Sequence, residues 1–350
     1  MRKLIISLLF ILAVAVLMYA SLGRSGESVR STVINEGGQE TPKRAILSVL
    51  HAGSLTAPLE EIVKAYERGN PNVEVRLEAS GSVEAIRKVT ELGKKADIVI
   101  SADHHLIRSM MFPEYADWYV IFATNQLVLA YTDRSKYASE VNESNWYYIL
   151  MREDVRLGFS DPNRDPCGYR AVMALLLASE LYGAPLNSLL VEGTNLRVEG
   201  TEAWVPDPVK GSGKVLMRPK SVELLSLLDL GVLDYAFEYK SVAIQHNFRY
   251  VELPPEISFS SPELSSLYSQ AAVHLYAGRE DEQVIRGDVI AYALTIPRSS
   301  EDKNVAIDFL KFLLTEGLKM FEEQNQQPLR PPIGVGNVPV ELRSLVEVRG

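Results

Sequence analysis

Between residues 45 and 100 the chain alternates strand and helix patterns in the order βαβαβ. Short apolar runs at 46–50, 73–77 and 96–100 indicate strands, and the helical patterns of 57–68 and 83–92 separate them. A strand–helix–strand crossover places its two strands parallel, with the helix packed on the sheet. This order therefore predicts an α/β fold in which helices cover both faces of a parallel sheet.

A second series of strands and helices begins near residue 125. Its predicted elements are strands at 125–132, 157–160 and 233–239, helices from Tyr169 and at 221–230, then a strand at 288–296, a helix at 303–314 and a tail. Two such series predict two lobes with two crossings and a cleft between them. We assign 45–126 plus 286–350 to lobe 1 and 127–285 to lobe 2. The sequence does not indicate a role for residues 193–214 and 248–282.

Three polar turns lie where predicted helices begin. His51–Ser54 and Ala79–Ser82 are serine–glycine turns between a strand and a helix, and Asp165–Arg170 precedes the third such helix. Helix N-termini carry unpaired N–H groups and a partial positive charge. In α/β sheets, ligands bind beyond the carboxyl ends of the strands. The turns therefore predict an anion site.

The composition narrows the class of ligand and partner. The net charge is −9, and the sequence has no basic patch interleaved with aromatic residues, which argues against nucleic-acid binding. An acidic protein must bind an anion through local amides and hydroxyls, because its overall field is unfavourable. Cys167 is the only cysteine, so neither an intrachain disulfide nor a lipid-anchoring cysteine near the start of the chain is available.

The start of the chain has the pattern of an export signal or a membrane anchor. Arg2 and Lys3 precede the apolar stretch 4–20, and we assign 1–23 to this segment and 24–44 to a flexible linker. Cleavage and retention of the segment both stay open. We expect an extracytoplasmic protein that is associated with the cell surface through this segment or through a membrane partner.

Four separated segments resemble the archaeal-type tungstate/molybdate-binding proteins of ABC transporters, which are relatives of the periplasmic molybdate-binding proteins. They occur in the same order and are HAGSLTAPLEEI, ASGSVEAIRKVTELGKKADIVISAD, FSDPNRDPCGYRA and VLDYAFEYKSVAIQHN. The resemblance covers roughly residues 45–340. It implies the two-lobed periplasmic-binding-protein fold of type II, a small oxyanion held in the interlobe cleft, and delivery to an ABC permease and its ATPase.

The resemblance also implies which residues touch the oxyanion. Carried over position by position, the contacts are Gly53, Ser54, Ser82, Asp165, Pro166, Cys167, Ser221 and Tyr239. Asp165 is the carboxylate that binds the metal centre of the oxyanion. The family's second carboxylate maps to position 221, where this chain has serine. Either Ser221 supplies a hydroxyl and an amide there, or Glu223 takes the role.

A carboxylate beside a dianion is electrostatically unfavourable. Repulsion is about 4 kcal/mol per pair of unit charges at 4 Å and an effective dielectric constant of 20. Two arrangements remove it: Asp165 is protonated, or its oxygen binds a molybdenum or tungsten centre that accepts more than four ligands. Sulfur in sulfate accepts no such ligand. Asp165 therefore favours tungstate or molybdate.

Two alternatives stay open at this point. One is a receptor for sulfate or another small anion in the same fold, and the other is an exported hydrolase that uses Ser54 or Ser82 with a histidine. His104 and His105 lack a spaced third metal ligand and are expected to be surface or loop residues. We expect a monomeric binding protein that is not an enzyme and carries no cofactor besides its ligand.

Overall fold

A computed structural model describes residues 44–349. The predicted signal or anchor and residues 24–43 of the predicted linker lie outside the described residues. Within 44–349, no helix combines the length and the apolar character needed to cross a membrane.

Sixteen strands form three sheets within the described residues. In chain order they are β1 (Ala45–Ala52), β2 (Val73–Ser80), β3 (Ile98–Ser101), β4 (Trp118–Thr124), β5 (Leu127–Tyr131), β6 (Leu157–Ser160), β7 (Arg197–Glu199), β8 (Glu202–Trp204), β9 (Val215–Arg218), β10 (Tyr235–Tyr239), β11 (Arg249–Glu252), β12 (Ala272–Leu275), β13 (Gln283–Arg286), β14 (Ala291–Thr295), β15 (Gln327–Gly336) and β16 (Glu347–Arg349).

The α-helices lie between these strands and pack on the sheets. They are α1 (Thr56–Gly69), α2 (Ser82–Thr90), α3 (His104–Met111), α4 (Trp146–Met151), α5 (Pro166–Tyr182), α6 (Ser188–Gly193), α7 (Leu224–Asp229), α8 (Lys240–Gln245), α9 (Pro255–Ser258), α10 (Ser265–Tyr268), α11 (Lys303–Phe312) and α12 (Leu318–Glu323).

The largest sheet has seven strands in the order β16-β15-β4-β14-β3-β1-β2. β1 runs parallel to β2 and β3, with Ala52 opposite Ser80 and Val49 opposite Ile98, so the predicted βαβαβ unit is confirmed. β14 pairs antiparallel with β3 and β4, which makes the sheet mixed. Both serine–glycine turns therefore leave the same edge of one sheet.

The other two sheets are built from the middle of the chain. Five strands lie in the order β11-β5-β10-β6-β9, and four strands lie in the order β13-β12-β8-β7. Three strands of the four-stranded sheet, β7, β8 and β12, come from the two segments to which no role was assigned, and β13 directly follows the second of them. Strands of the seven-stranded sheet come from 45–124 and 291–349, and those of the other sheets come from 127–286. The exact lobe boundaries stay a prediction.

The central helix α5 differs from the amphipathic helices around it. Every residue from Pro166 to Ala178 is buried, whereas α1 buries one stripe that includes Leu59, Ile62 and Tyr66. A helix that is apolar all round belongs inside a protein. It ends at Gly183, whose φ of 58° is the left-handed conformation that glycine adopts without strain.

The structure contains elements that the sequence analysis did not predict. These are the strand β4, and α12, β15 and β16 within the predicted tail. β15 has three prolines without N–H groups, and its pairing with β4 shifts register between Pro328 and Ile333, which explains its weak strand pattern. The predicted helix at 221–230 begins as a 3₁₀ turn over Ser221–Glu223, and α7 follows it.

Gly168 is tested by an alanine substitution, because α5 begins in contact with the end of β6. A Cβ at Gly168 would collide with the Ser160 carbonyl group. We expect Gly168→Ala to lower the free energy of unfolding by about 1–3 kcal/mol, as overpacking does. Urea denaturation followed by circular dichroism measures it.

The matched control is Gly69→Ala at the end of α1, where a Cβ meets nothing within 4 Å. Its free energy of unfolding should stay unchanged or rise slightly, because alanine is the better helix former. A Gly168→Ala variant as stable as this control contradicts the packing described here.

Candidate functional site

Asp165 links two turns at the end of the five-stranded sheet. It caps α5, and its Oδ1 accepts a hydrogen bond from the Cys167 amide at 3.3 Å. Its Oδ2 accepts one from the Ser221 amide at 2.8 Å. Aspartate is a favoured cap because its carboxylate satisfies free amides of the first turn. The buried Asp165 carboxylate therefore orients two of the predicted contact residues.

A second carboxylate, Glu238, lies beside this pair at the end of β10. Its Oε1 accepts hydrogen bonds from the Ser221 hydroxyl at 2.9 Å and from the Tyr239 amide at 2.8 Å. The Cys167 thiol lies 3.9 Å from the same oxygen. Ser221 therefore donates to both buried carboxylates, through its amide to Asp165 and through its hydroxyl to Glu238.

Burial governs the protonation of both carboxyl groups. Loss of hydration, together with the nearby Asp165 charge, raises the pKa of Glu238 to about 8, although the hydrogen bond from the Tyr239 amide opposes the increase. Burial also raises the pKa of Asp165, although the amides of Ser221 and Cys167 oppose the increase. Two carboxyl groups that share a buried site resist double ionisation.

Gly53 and Ser54 begin the turn that follows β1. The Ser54 hydroxyl accepts a hydrogen bond from the Tyr292 hydroxyl at 3.2 Å, and its carbonyl accepts one from the Gln326 side chain at 3.3 Å. A Cβ at Gly53 would lie 3.3 Å from the Val222 side chain. The β1 turn thus touches the turn that contains Ser221.

Ser82 is the first residue of α2 and is fully buried. Its hydroxyl accepts a hydrogen bond from the Ala102 amide at 2.9 Å. The preceding Gly81 packs so closely on the loop before α5 that a Cβ there would collide with the Arg164 carbonyl. The same carbonyl accepts hydrogen bonds from Val83 and Glu84 at the start of α2.

Tyr239 connects the carboxylates to a buried ion pair. Its hydroxyl accepts a hydrogen bond from the Arg170 guanidinium at 2.9 Å. Arg170 in turn lies 3.0 Å from Asp103, which also accepts a hydrogen bond from the Tyr169 hydroxyl at 2.5 Å. Burial raises the pKa of Tyr239 well above its usual range, so its hydroxyl keeps its proton.

Pro166 and Cys167 form the first turn of α5. Proline has no N–H and cannot donate to an anion, but its fixed φ suits the first helical position. The Cys167 thiol donates to the Phe237 carbonyl over 3.7 Å. Burial raises the pKa of this thiol well above its usual range, which leaves its amide as the group that suits an anion.

Buried polar atoms without a hydrogen-bond partner concentrate in this region. Among residues 44–349, seven side-chain atoms are in this condition, and four of them belong to residues that adjoin the turns just described: Ser80 Oγ, Ser160 Oγ, Glu238 Oε2 and Gln326 Oε1. Buried polar groups are normally paired, so such a concentration indicates a place where a polar ligand binds.

The structure thus brings all eight residues predicted to touch the oxyanion into one connected and largely buried region. Glu223 is not part of it: this side chain is half-exposed and lies 3.5 Å from Lys220. Sequence reasoning missed Glu238 and Arg170. The signal was available for Glu238, because a lone acidic residue in the apolar strand Tyr-Ala-Phe-Glu-Tyr must be buried unless the strand is at an edge.

The histidines do not support a hydrolase. Neither Ser54 nor Ser82 has a histidine among its hydrogen-bond partners within residues 44–349. His104 and His105 begin α3 instead of lying in a loop. The His105 side chain is exposed, as expected, whereas the His104 side chain is only 15% exposed, so the expectation of a surface residue is wrong for His104. His105 bonds to Asp288 at 2.7 Å.

The fold and these contacts agree with a receptor for a small solute. The chain belongs to the family described as bacterial extracellular solute-binding protein, which matches residues 47–324. The molybdate/tungstate-binding protein WtpA of Thermococcus kodakarensis is 43% identical, with 100% of this chain and 98% of the relative covered. WtpA of Pyrococcus abyssi is 44% identical, with 97% of each covered. The resemblance found in the four segments is confirmed.

Solved structures bear out the two-lobed periplasmic-binding-protein fold. The molybdate-binding protein of Azotobacter vinelandii has a TM-score of 0.55 over 80% of this chain and 98% of that one. The sulfate-binding protein SubI of Mycobacterium tuberculosis has a TM-score of 0.56 over 82% and 88%. Both are 13% identical to this chain and bind different anions, so the fold alone does not choose the ligand.

The raised pKa of Glu238 predicts how the stability of the ligand-free protein depends on pH. The folded protein holds this proton up to about pH 8, whereas the unfolded chain releases it near 4.5. The free energy of unfolding therefore falls as pH rises through this interval, by up to a few kcal/mol. Glu238→Gln should flatten the decline and stabilise the ligand-free protein above pH 8.

Urea denaturation at pH 5, 7 and 8.5 measures the effect. Glu223→Gln is the control, because this half-exposed glutamate lies on the neighbouring turn and should leave the pH profile of the wild type in place. Parallel profiles for the wild type and Glu238→Gln would refute the assignment of a buried, protonated Glu238.

Proposed function

We propose that this protein captures tungstate or molybdate and delivers it to an ABC permease. The observation that carries the proposal is the buried Asp165 carboxylate at the start of α5, among amides and hydroxyls suited to an oxyanion. Its relatives from Thermococcus kodakarensis and Pyrococcus abyssi are named for the same two ligands.

The donors at the site suit a tetrahedral dianion. The starts of α2 and α5 and the turns at Gly53 and Ser221 offer amides, and Ser54, Ser82 and Tyr239 offer hydroxyls. Charge-assisted hydrogen bonds contribute about 1.5–3 kcal/mol each. Five or six of them reach nanomolar affinity, which corresponds to about −12 kcal/mol.

Asp165 gives the preference for a metal oxyanion over sulfate. A carboxylate oxygen that accepts an amide hydrogen bond retains a lone pair, and a hard metal centre binds such an oxygen. Sulfate offers no acceptor for that lone pair, so in a sulfate complex Asp165 would have to be protonated or would repel the ligand. The carboxylate therefore opposes the sulfate alternative.

Delivery requires an exported receptor whose cleft opens and closes. We propose a location outside the cell membrane, attachment through the N-terminus or the permease, and partnership with the permease and ATPase of an ABC transporter. The protein acts as a monomeric binding protein without catalysis, and its ligand is its cargo. Lobe 1 comprises 45–126 plus 286–350 and lobe 2 comprises 127–285.

Contacts between these lobes support closure around the ligand. Arg87 on α2 lies 2.9 Å from Asp281, and its guanidinium stacks 4.2 Å from the centre of the Tyr276 ring. Tyr276 also donates a hydrogen bond to the Asn163 carbonyl at 2.7 Å. Asn163 precedes Asp165 by two residues, so the contact joins α2 to the loop that carries the carboxylate.

The role of Asp165 is tested by Asp165→Asn. Asparagine also caps helices, so the fold should persist. We expect the affinity for tungstate and molybdate to fall by about 100-fold, which corresponds to roughly 3 kcal/mol, with little change for sulfate. Titration calorimetry of the full-length protein with the three anions measures this.

Asp302→Asn is the matched control, since Asp302 caps α11 through the Val305 amide far along the chain from the turns of the site. It should bind as the wild type does. Equal or tighter binding of sulfate by the wild type would overturn the proposed ligand, and unaltered tungstate affinity in Asp165→Asn would remove the role given to the carboxylate.

The contact of Arg87 with Asp281 and Tyr276 should prolong the time for which the protein holds tungstate. Arg87→Gln removes the ion pair with Asp281 and the cation stacked on Tyr276, each worth about 0.5–1 kcal/mol, and both form only when the lobes meet. It also removes the ion pair with Glu91, which lies within one lobe and does not depend on closure. We expect tungstate to dissociate about five- to thirtyfold faster at a nearly unchanged association rate. Stopped-flow measurements test this, with the exposed Arg68→Gln as control. An unchanged dissociation rate of tungstate from Arg87→Gln would show that Arg87 does not stabilise the closed arrangement.

A further inference from the structure

A surface turn between β5 and α4 carries a modification motif that the proposed function does not use. Asn142, Glu143 and Ser144 form the tripeptide Asn-x-Ser without a proline in the middle, and this pattern occurs once in the 350 residues. Asparagine in such a tripeptide accepts N-linked glycans in proteins that are exported across a membrane. The tripeptide also occurs by chance, so its structural surroundings decide whether it is suited to modification.

The turn presents the Asn142 side chain at the surface. Asn142 and the other two residues of the tripeptide are exposed. The Ser144 hydroxyl donates a hydrogen bond to Asn142 Oδ1 at 2.6 Å, and the Ser144 amide donates to the same oxygen at 2.9 Å. The side-chain nitrogen carries two hydrogens and donates one to the Glu140 carbonyl at 3.0 Å. Ser144 thus orients the carboxamide, and its nitrogen keeps a second hydrogen without an acceptor within residues 44–349.

A groove of about 420 Å³ lies directly beside the turn. The tripeptide forms one of its walls, and the other wall consists of Tyr131 at the end of β5 and of Tyr250, Val251 and Glu252 of β11. Tyrosine offers an apolar ring and a hydroxyl, and a carboxylate accepts hydrogen bonds. Sugars combine apolar C–H faces with many hydroxyls, so this wall suits a glycan that begins at Asn142.

The groove borders an edge of the five-stranded sheet, because β11 is the last strand of that sheet and pairs with β5 on one side only. A sheet edge presents unpaired N–H and C=O groups, which form a template for association with another chain. Proteins protect such edges by covering them or by placing charges on them. A glycan in the groove would cover β11.

The groove lies at the opposite end of the sheet from the oxyanion site. β5 runs antiparallel to β10, with Leu127 opposite Tyr239 and Tyr131 opposite Tyr235. Four residues of an extended strand, each rising about 3.4 Å, separate these two ends by roughly 13 Å. A group attached at Asn142 therefore does not obstruct the site.

We propose that Asn142 carries an N-linked glycan that packs in this groove and covers β11. The inference rests on the proposed location outside the cell membrane, where a sugar carried on a lipid phosphate serves as the donor. A bond forms between Asn142 Nδ2 and C1 of the first sugar, and the bond from C1 to the phosphate oxygen breaks. The amide loses one proton, the lipid phosphate leaves with the electron pair of the broken bond, and nothing is oxidised or reduced.

Mass spectrometry of the full-length protein, purified from its native cells, tests the proposal. Trypsin cleavage after Lys136 and Arg152 releases peptide 137–152, which contains the tripeptide. We expect this peptide to carry an added mass that fragments as a series of sugar residues, the first of them attached to Asn142. Asn142→Gln and Ser144→Ala, produced in the same cells, should lose the added mass completely.

Ser144→Thr and Glu143→Gln are the matched controls, because both change the same exposed turn and keep the motif. Both should retain the glycan. Thermal unfolding shows that each variant is folded, and all four should bind tungstate as the wild type does.

Hydrogen exchange tests whether the glycan packs on the sheet edge. The β11 amides of the glycosylated wild type should exchange severalfold more slowly than those of Asn142→Gln, because the glycan limits their opening and their access to water. Equal exchange rates would contradict the packing of the glycan on β11.

Two results would overturn the glycan and leave the proposed function in place. One is an unmodified peptide 137–152 from wild-type protein that lies outside the cell membrane and binds tungstate, and the other is a sugar mass that persists in Asn142→Gln. Protein recovered only from the cytoplasm would overturn the proposed location and the glycan together. A wild type that is glycosylated at Asn142 but binds neither tungstate nor molybdate would support the glycan and defeat the proposed function.

Discussion

The rest of the site depends on the two hydrogen bonds that Asp165 accepts. One oxygen receives the Cys167 amide from its own helix, and the other receives the Ser221 amide from a turn 56 residues further along the chain. These bonds fix the first turn of α5 against the turn before α7. They also occupy amides that would otherwise bind an anion. The Asp165 carboxylate thus takes the place that an anion would have at these two amides.

The charges around the site explain how an acidic protein accommodates a dianion. Arg170 is a buried cation within reach of the site, but Asp103 neutralises it at 3.0 Å. Arg170 acts on the site through the Tyr239 hydroxyl, to which it donates, and the raised pKa of Tyr239 keeps that hydroxyl protonated. The interior therefore offers donors rather than free positive charge. Two carboxyl groups and a dianion coexist there only if the carboxyl groups keep their protons or a metal centre accepts the carboxylate oxygens.

Much of this arrangement follows from the sequence. The βαβαβ order located β1 to β3, because apolar runs of four to eight residues separated by helical periods have few other solutions. The same order placed Gly53 and Ser82 at one sheet edge, and the family motifs added Asp165 and Tyr239. These strands and turn residues could be predicted because local sequence patterns determine them.

What the sequence left undecided depends on contacts between distant segments. Strand β15 pairs with β4 across about 200 residues and contains prolines, so no local period marks it. The surroundings of Glu238 likewise depend on contacts between distant segments. A lone glutamate within an apolar strand indicates burial but not its partners, and only the packing of Ser221 and Cys167 against it shows that one of its oxygens is satisfied and the other is not.

The proposed closure and the assembly of the site depend on the same contacts. Gly81 precedes helix α2 and has no side chain to cap it, and the first amides of α2 donate instead to the Arg164 carbonyl. Only glycine permits this approach, because a Cβ at Gly81 would collide with that carbonyl. In the proposed closure, these contacts form only when the two regions meet. A ligand that needs donors from both regions would therefore stabilise the closed arrangement.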